Sequence, residues 1–304
     1  MRLRVRRLST NPDPAQQKEG TTPEDKAKLR AAARETAWLH PFFVTEDGKI
    51  KLTFQMFVIE TPGGVRIAVD TCVGNDKERE LELWNKTQGP FLQHLEAGGV
   101  SRESVDFVLC THLHVDHVGW NTILQDGRWV PTFPNAKYLF AREEFDHWSA
   151  EVEAGRGTHD TTDEAVMADS IQPILEAGLH ELVEMDKVIV DEGEAAKVWL
   201  TPTTGHTPGH VSVCIASEGE RALITGDCIH HPMQMASVDT RCFADSDQEA
   251  AVATRRQLLT SLAGSKCMLI GTHFAAPSRG LVRAGEGDAD QGSEFVLDVC
   301  HACC

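Results

Sequence analysis

The chain has 304 residues, of which 41% are hydrophobic, and its formal charge at pH 7 is −17. That charge argues against a nucleic-acid partner or an anionic membrane, because both are normally bound through a positive face. The sequence has no apolar run near the roughly 18 residues that a transmembrane helix needs, and its start lacks the apolar core of a secretory signal. We therefore expect a cytoplasmic protein that acts on a small molecule.

The two ends of the chain differ in composition from the middle. Residues 1–35 are polar and contain three prolines, which predicts a flexible arm that leads into a short helix. A homodimer formed through this arm is a prediction to test. Residues 36–299 are expected to form one domain. The tail 300–304 is rich in cysteine and could bind metal, but it has no second half-site; the alternative is a frayed, oxidation-prone terminus.

Between these ends, short apolar strands alternate with helical segments. In chain order the predicted elements are strands at 54–59 and 65–69, a helix at 85–98, strands at 105–110 and 136–140, helices at 142–148 and 163–177, strands at 188–190, 197–201, 210–216 and 221–225, a helix at 247–263 and a strand at 268–271. Strand runs interleaved with helices in both halves predict a sheet packed on a sheet, with the helices outside.

A histidine-rich run follows the predicted strand at 105–110. It holds His112, His114, Asp116 and His117 within six residues. Imidazole and carboxylate groups suit borderline metals such as zinc. In an extended loop alternate side chains point the same way, so His112 and His114 can share one ion, while the two residues after the bend can face a second. The alternative interpretation is a polar, histidine-rich surface turn.

Three later residues stand in the same context, each just past an apolar strand: His206, Asp227 and His273. Each alone has an ordinary explanation, as a turn histidine, a turn or cap aspartate and a satisfied core histidine. Strand ends gather at one rim of a sheet, however. Together with the first cluster, these residues predict a metal site.

The order H-x-H-x-D-H, G-H-T-P-G-H, G-D and a final His resembles the metallo-β-lactamase superfamily over about residues 50–275. Within it, the block spacings, the segment 226–232 and the helix start at Asp245 most resemble the methyl parathion hydrolase and N-acyl homoserine lactonase relatives. The resemblance implies an α+β fold, an αββα sandwich of two mixed sheets with outer helices. It also implies a ligand set, with one ion held by His112, His114 and His206, a second by Asp116, His117 and His273, and Asp227 bridging both.

Two divalent ions, zinc first and manganese or iron as alternatives, would lie about 3.5–4 Å apart and share a hydroxide that attacks the substrate. The expected substrate is a small carboxylic ester or lactone, with promiscuous phosphotriester hydrolysis as a side activity. Asp116 and His230 are the candidate catalytic residues. Homoserine lactonases carry a Tyr three residues after the bridging Asp, whereas this chain has His230 there, which could donate a proton. A plain surface-turn role for His230 is the alternative.

Other functions share much of this motif. A persulfide dioxygenase of the same fold would use one iron and redox chemistry, and a thioester hydrolase would use the same ligands on a different substrate. A metal-binding scaffold without turnover is the third alternative. Metal content and a substrate panel would distinguish these functions.

Several further residues are weaker candidates. Asp70 could orient a ligand histidine or be a plain turn residue, and His210 could do likewise or bond the backbone. Cys228 is interpreted as a small packing residue and not as a nucleophile. Two or three aromatic residues are expected to line an apolar substrate pocket, out of Trp38, Phe42, Phe43, Trp120, Phe133 and Trp148.

Overall fold

The computed structural model describes residues 3–14, 23–158, 161–290 and 292–299. The first half of the chain contains the elements β1 (Arg4–Pro14), α1 (Pro23–Glu35), β2 (Lys51–Glu60), β3 (Arg66–Val69), α2 (Phe91–Ala97), β4 (Phe107–Leu109), α3 (Val115–Val118), β5 (Thr122–Gln125), β6 (Arg128–Pro131), β7 (Lys137–Ala141) and α4 (Arg142–Glu153).

The second half continues with α5 (Glu164–Val166), a π-helical segment (Met167–Ile171), α6 (Gln172–Glu176), β8 (His180–Val183), β9 (Val188–Asp191), β10 (Lys197–Pro202), β11 (Val211–Ser217), β12 (Glu220–Ile224), α7 (Met233–Ala236), α8 (Gln248–Leu262), β13 (Cys267–Ile270), β14 (Arg279–Ala284) and β15 (Phe295–Asp298). Short 3-10 turns lie at Ala37–Leu39, Arg102–Ser104, Gly119–Asn121, Gly226–Cys228 and Gly287–Asp290.

The strands form two mixed sheets and one separate hairpin. The first sheet has the order β1-β2-β3-β4-β7-β8, and the second has the order β15-β14-β13-β12-β11-β10-β9. In the first sheet β3, β4, β7 and β8 run parallel; in the second only β12 and β13 do. The hairpin pairs β5 with β6.

Alternation of side chains along the strands creates three apolar layers. On β2, Phe57 and Ile59 point into the space between the sheets, where they meet Val198 and Val213 of the second sheet. The intervening Met56 and Val58 point outward and pack, with the rest of that face, against α2 and the helices that follow β7. The outer face of the second sheet is covered in the same way by α1, α7 and α8. The predicted αββα sandwich is therefore confirmed.

The N-terminal prediction was partly wrong. Residues 4–14 form β1, which pairs antiparallel with β2 from Arg4 opposite Glu60 to Pro14 opposite Lys51, and are not a flexible arm. Leu3 and Val5 pack against the layer between the sheets, so the start of this strand contributes to the core. The predicted short helix is α1. The cysteine-rich tail 300–304 lies outside the described residues.

Other boundaries also moved. The helix predicted at 85–98 begins only at Phe91, after Pro90, because the residue before a proline and the proline itself resist helical geometry. The helix predicted at 163–177 is divided by the π-helical segment. The hairpin β5–β6 and the strands β8, β14 and β15 were missed. Among the described residues, no helix is both long enough and apolar enough to cross a membrane.

Candidate metal centre

The loops that follow β4, β10, β12 and β13 meet at one rim of the sandwich and bring seven predicted residues together. The first cluster consists of His112, His114 and His206. Nε2 of His206 lies 3.1 Å from Nε2 of His112 and 2.9 Å from Nδ1 of His114. All three side chains are buried. Burial lowers the pKa of each ring well below its ordinary value, so the three imidazoles are neutral and present lone pairs.

The outer nitrogens of these rings fix which lone pairs face inward. Nδ1 of His206 lies 2.9 Å from Oδ1 of Asp245, and Nδ1 of His112 lies 3.1 Å from Oγ1 of Thr111. If those nitrogens carry the protons, the two Nε2 atoms face each other without a hydrogen between them. Two nitrogen lone pairs that face each other repel, and a cation between them relieves that repulsion. Two nitrogens on a tetrahedral zinc ion are separated by about 3.3 Å. These residues therefore fit a divalent metal ion.

The second cluster consists of Asp116, His117, Asp227 and His273. Nε2 of His117 lies 3.2 Å from Nε2 of His273, and Oδ2 of Asp116 lies 3.4 Å from the latter. Burial acts to lower the pKa of His117, but the carboxylates of Asp227, Asp116 and Asp70 raise it well above its ordinary value. The same negative charges favour a bound cation.

Asp227 connects the two clusters. Its Oδ2 lies 3.1 Å from Nε2 of His273, 3.7 Å from Nε2 of His206 and 4.0 Å from Nε2 of His112. It follows β12 in a tight turn where Gly226 has a φ of 55°, and a Cβ at Gly226 would lie 2.5 Å from Nε2 of His210. That His210 nitrogen accepts a hydrogen bond of 2.8 Å from the backbone N–H of Asp227. His210 thus supports the backbone, and Gly226 makes the approach possible.

Asp70 lies beside His117 of the second cluster, in agreement with one of its two predicted roles. Its Oδ2 lies 3.0 Å from Nδ1 of His117, and its Oδ1 accepts a hydrogen bond of 2.8 Å from the N–H of Thr111. One buried carboxylate thus orients a ring and fixes the start of the histidine-rich loop.

Glu144 on α4 is a residue that the sequence did not reveal. Its Oε1 accepts hydrogen bonds from the N–H of Leu113, at 3.0 Å, and from Nε1 of Trp148, at 2.7 Å; its Oε2 accepts from the N–H of Gly209 at 3.0 Å. A Cβ at Gly209 would lie 2.2 Å from the backbone N of Glu144, so only glycine permits this approach. Glu144 therefore ties the loop of His112 and His114 to the loop of His206.

Arg255 organises the opposite side of the centre. This fully buried side chain donates to the carbonyls of Cys228, Val238 and Thr240, and its Nη2 lies 3.9 Å from Oδ2 of Asp245. Cys228 is buried, and its Sγ donates to the carbonyl of Thr225. It is the packing residue that was predicted.

His230 faces the mouth of the centre. Its side chain is 17% exposed, against 5% or less for the clustered histidines, and its Nε2 lies 3.3 Å from Oδ2 of Asp227. Burial acts to lower its pKa, but Cys242 and Asp227 raise the pKa of His230 well above its ordinary value. The ring is therefore positioned to hold a proton beside Asp227.

The aromatic prediction was only partly right. Of the six candidates, Trp148 contacts a clustered histidine, with its ring 5.3 Å from that of His114. Phe43, Trp120 and Phe133 lie in the core clusters, Trp38 packs on the outer face of the second sheet, and Phe42 is 39% exposed. The aromatic wall that was missed consists of Phe54, 5.3 Å from the ring of His273, and Trp84, 5.8 Å from Phe54.

The sequence profile of the metallo-beta-lactamase superfamily matches residues 55–263, which is more than half of the chain. The chain belongs to the metallo-beta-lactamase superfamily. Members of that superfamily are generally metal-dependent hydrolases, in agreement with the histidine and aspartate clusters at the rim. None of the curated proteins compared with the chain is significantly similar in sequence.

Solved structures share this architecture over nearly the whole chain. The hydrolase AbOPH of the beta-lactamase superfamily is 21% identical with a TM-score of 0.71, over 97% of this chain and 94% of its own. AidC, a dizinc quorum-quenching lactonase solved with N-hexanoyl-L-homoserine, is 20% identical with a TM-score of 0.70 over the same shares. A probable metal-dependent hydrolase from Staphylococcus aureus is 18% identical with a TM-score of 0.64, over 97% of this chain and 96% of its own. At these identities the likeness shows the fold.

Proposed function

We propose that this metallo-beta-lactamase superfamily member is a dinuclear hydrolase that opens carboxylic esters or lactones. The observation that carries the proposal is the position of Asp227, whose Oδ2 lies within 4.0 Å of histidine nitrogens from both clusters. One carboxylate between two sets of buried imidazoles suits two ions that share a ligand. His112, His114 and His206 would hold one ion, and Asp116, His117 and His273 the other. Zinc is the first choice, with manganese or iron as alternatives.

When bound, divalent ions at such a site supply Lewis acidity and lower the pKa of water toward neutrality. The protein's own groups supply orientation and proton transfer. His230 Nε2, at the mouth, is placed to donate a proton to the oxygen that leaves when an ester opens. Asp116 and Asp227 hold negative charge in a buried pocket that two cations would balance.

The surroundings of the centre support a substrate with an apolar part. Phe54 packs beside His273, Trp84 packs beside Phe54, and Leu83, next to Trp84 in the chain, is 47% exposed. On the other side Phe243 is 62% exposed, next to Cys242, whose Sγ lies 3.8 Å from Nε2 of His230. Apolar walls with few polar groups are usual for small-molecule sites. The neighbour AidC, a lactonase by its name, supports an ester or lactone.

The test combines metal analysis with a panel of esters, lactones, thioesters and phosphotriesters. We expect two ions per chain and hydrolysis of a carboxylic ester or lactone. Asp227→Asn should lower both the metal content and the rate, the latter by about 100-fold or more, since even partners of metal ligands contribute 10–100-fold. The matched control is Asp186→Asn, an exposed aspartate in the turn between β8 and β9.

Two outcomes would contradict the proposal. A single iron with oxygen-dependent turnover of a persulfide would assign the chain to the dioxygenases. A fully metal-loaded protein that cleaves no member of the panel would indicate a metal-binding scaffold.

A further inference from the structure

A cavity lies away from the metal centre, and none of the clustered residues lines it. It measures about 480 Å³ and opens between α8 and the outer face of the second sheet, beside the turn that joins β11 to β12. This volume falls within the roughly 300–1,000 Å³ that is usual for small-molecule sites.

The floor and one wall of this cavity are apolar. Cys214 of β11 and Leu223 of β12 are direct neighbours in the sheet, and Cys267 starts β13. These three side chains are at most 9% exposed, and Leu258 and Leu262 of α8 face them. Burial raises the pKa of the Cys214 thiol to about 11, so it stays protonated and uncharged at neutral pH. The floor therefore offers an apolar surface and no fixed charge.

The rim of the same cavity is positive. Arg221 and Lys266 line it, together with the hydroxyl residues Ser261 and Ser265, and no aspartate or glutamate lines it. Within the described ranges neither cation has an ion pair, although the chain carries 46 acidic residues against 29 lysines and arginines. The guanidinium of Arg221 lies 6.0 Å from the ring centre of Trp199, which helps to hold it in place. Two unpaired cations beside a concave surface produce a local positive potential in an acidic protein.

The cavity and the metal centre lie at opposite ends of the same two strands. Arg221 is near the start of β12 and Asp227 follows its end; Cys267 starts β13 and His273 follows its end. A ligand at the cavity would therefore not touch the clustered histidines.

We propose that this cavity binds an amphipathic carboxylate: the carboxylate head pairs with Arg221 and Lys266, and the alkyl chain lies over Leu223 and the two thiols. Guanidinium and ammonium groups donate charge-assisted hydrogen bonds to carboxylate oxygens, and the apolar floor accounts for a tail. The proposal does not depend on the proposed function.

Thiol labelling of the metal-loaded protein tests this proposal. Octanoate and inorganic phosphate are the probes, and alkylation of each cysteine by N-ethylmaleimide is followed by peptide mass spectrometry. Octanoate at ten times its dissociation constant should slow the labelling of Cys214 and Cys267 about tenfold, by mass action. Phosphate, which has no tail, should protect neither thiol. The partly exposed Cys242 beside His230 is the internal reference and should be labelled at an unchanged rate.

The variants Arg221→Gln and Lys266→Gln should each weaken the octanoate effect about tenfold, as expected for a lost charge-assisted hydrogen bond. Both side chains lie at the exposed rim, so the fold should persist. Arg128→Gln, an exposed arginine of β6, is the matched control and should keep full protection.

Three results would overturn the proposal. Unchanged labelling of Cys214 and Cys267 would show that octanoate does not bind there. Protection of Cys242 alone would place the carboxylate at the metal centre instead. Equal protection by phosphate would show that the site binds anions without an apolar part.

Discussion

Glu144 joins two loops of the candidate metal centre. Its two oxygens accept three hydrogen bonds that hold the loops of His112 and His206 together. In Glu144→Gln an NH₂ group would face a backbone N–H, so one of the two loops would loosen. We expect metal affinity to fall about 10–100-fold, with turnover near wild type once metal is in excess.

Competition with a chelator measures that affinity, and activity at saturating metal separates positioning from chemistry. The control is Glu143→Gln, since Glu143 is the exposed neighbour on α4. Equal chelator sensitivity of both variants and the wild type would show that Glu144 only fills space.

His230 is expected to act on the substrate and not on the metal. His230→Gln keeps a polar group but removes the titrating proton, so turnover should fall about 100-fold, the lower range for general acid catalysis. Both ions should remain bound. Steady-state kinetics and metal analysis of one preparation check this, with His147→Gln on α4 as the control. An unchanged rate would assign His230 to the surface-turn role.

For single residues, the sequence predicted the side chains that can bind a metal themselves. It missed those that act by binding backbone N–H groups. Spacing and residue type were enough to select His112, Asp227 and the others of the two clusters. Glu144 gave no signal, because its role depends on which backbone N–H groups its carboxylate meets in the folded chain. Trp84 lies in an irregular segment, where no periodicity marks a pocket wall.

The π-helical segment between α5 and α6 has an identifiable cause. Pro173 lacks an N–H, so in a regular helix the carbonyl of Asp169, four residues earlier, would lose its partner. In the structure that carbonyl accepts from Nζ of Lys77, at 3.0 Å, and from the hydroxyl of Thr122. The side chain of Asp169 also receives two hydrogen bonds from Arg79. The segment thus fixes the loop that follows β3.

This network predicts a large loss of stability in Asp169→Ala. The side chains of Lys77 and Arg79 are 0% and 1% exposed, so removal of the carboxylate leaves two buried cations without their partner. Loss of one partner of a buried ion pair typically costs about 3–5 kcal/mol. Urea unfolding of the variant should show a decrease of that size in the free energy of unfolding.

Glu164→Gln is the matched control, since Glu164 is exposed on α5. A decrease below about 1 kcal/mol for Asp169→Ala would mean that water compensates both cations.

The strand β1 shows why element predictions fail at chain ends. Leu3 and Val5 alternate with arginines, which is the period-two pattern of a strand, and both pack against the layer between the sheets. The prolines and charged residues that follow this short pattern favoured the prediction of a flexible arm instead. Only the pairing with β2, a tertiary contact, decides the structure.

At the scale of the whole molecule, the buried His231 predicts that the stability of the fold decreases at acid pH. It is 4% exposed; its Nε2 donates to the carbonyl of Phe43 and its Nδ1 accepts from the N–H of Met233. Burial lowers its pKa to about 4. The unfolded chain binds this proton near pH 6.5, so His231 stabilises the fold fully above that pH, and its contribution is lost as the pH falls toward 4.

The expected slope from this residue is about 1.4 kcal/mol per pH unit between roughly pH 6 and 4. The free energy of unfolding of His231→Gln, measured by urea titration across this range, should fall less steeply than that of the wild type. The half-buried His40→Gln serves as control. Parallel curves for His231→Gln and the wild type would rule out this contribution.

The architecture as a whole was predictable because it follows from the alternation of strands and helices, which local patterns report. The order of the strands within each sheet was not predictable from the sequence. The parallel pairing of β12 with β13, for example, brings together segments separated by α8, and only packing of that helix on the sheet establishes it.

The origin of the clustered residues in both sheets has a consequence for assembly. The clustered residues begin at His112 and end at His273, so they come from both sheets, and no half of the chain contains a complete set. Ions bound at the two clusters would act as reversible cross-links between the sheets. Uptake of an ion at the second cluster would then be coupled to completion of the fold, because His273 follows β13 and a nascent chain could not complete that cluster before this strand is in place.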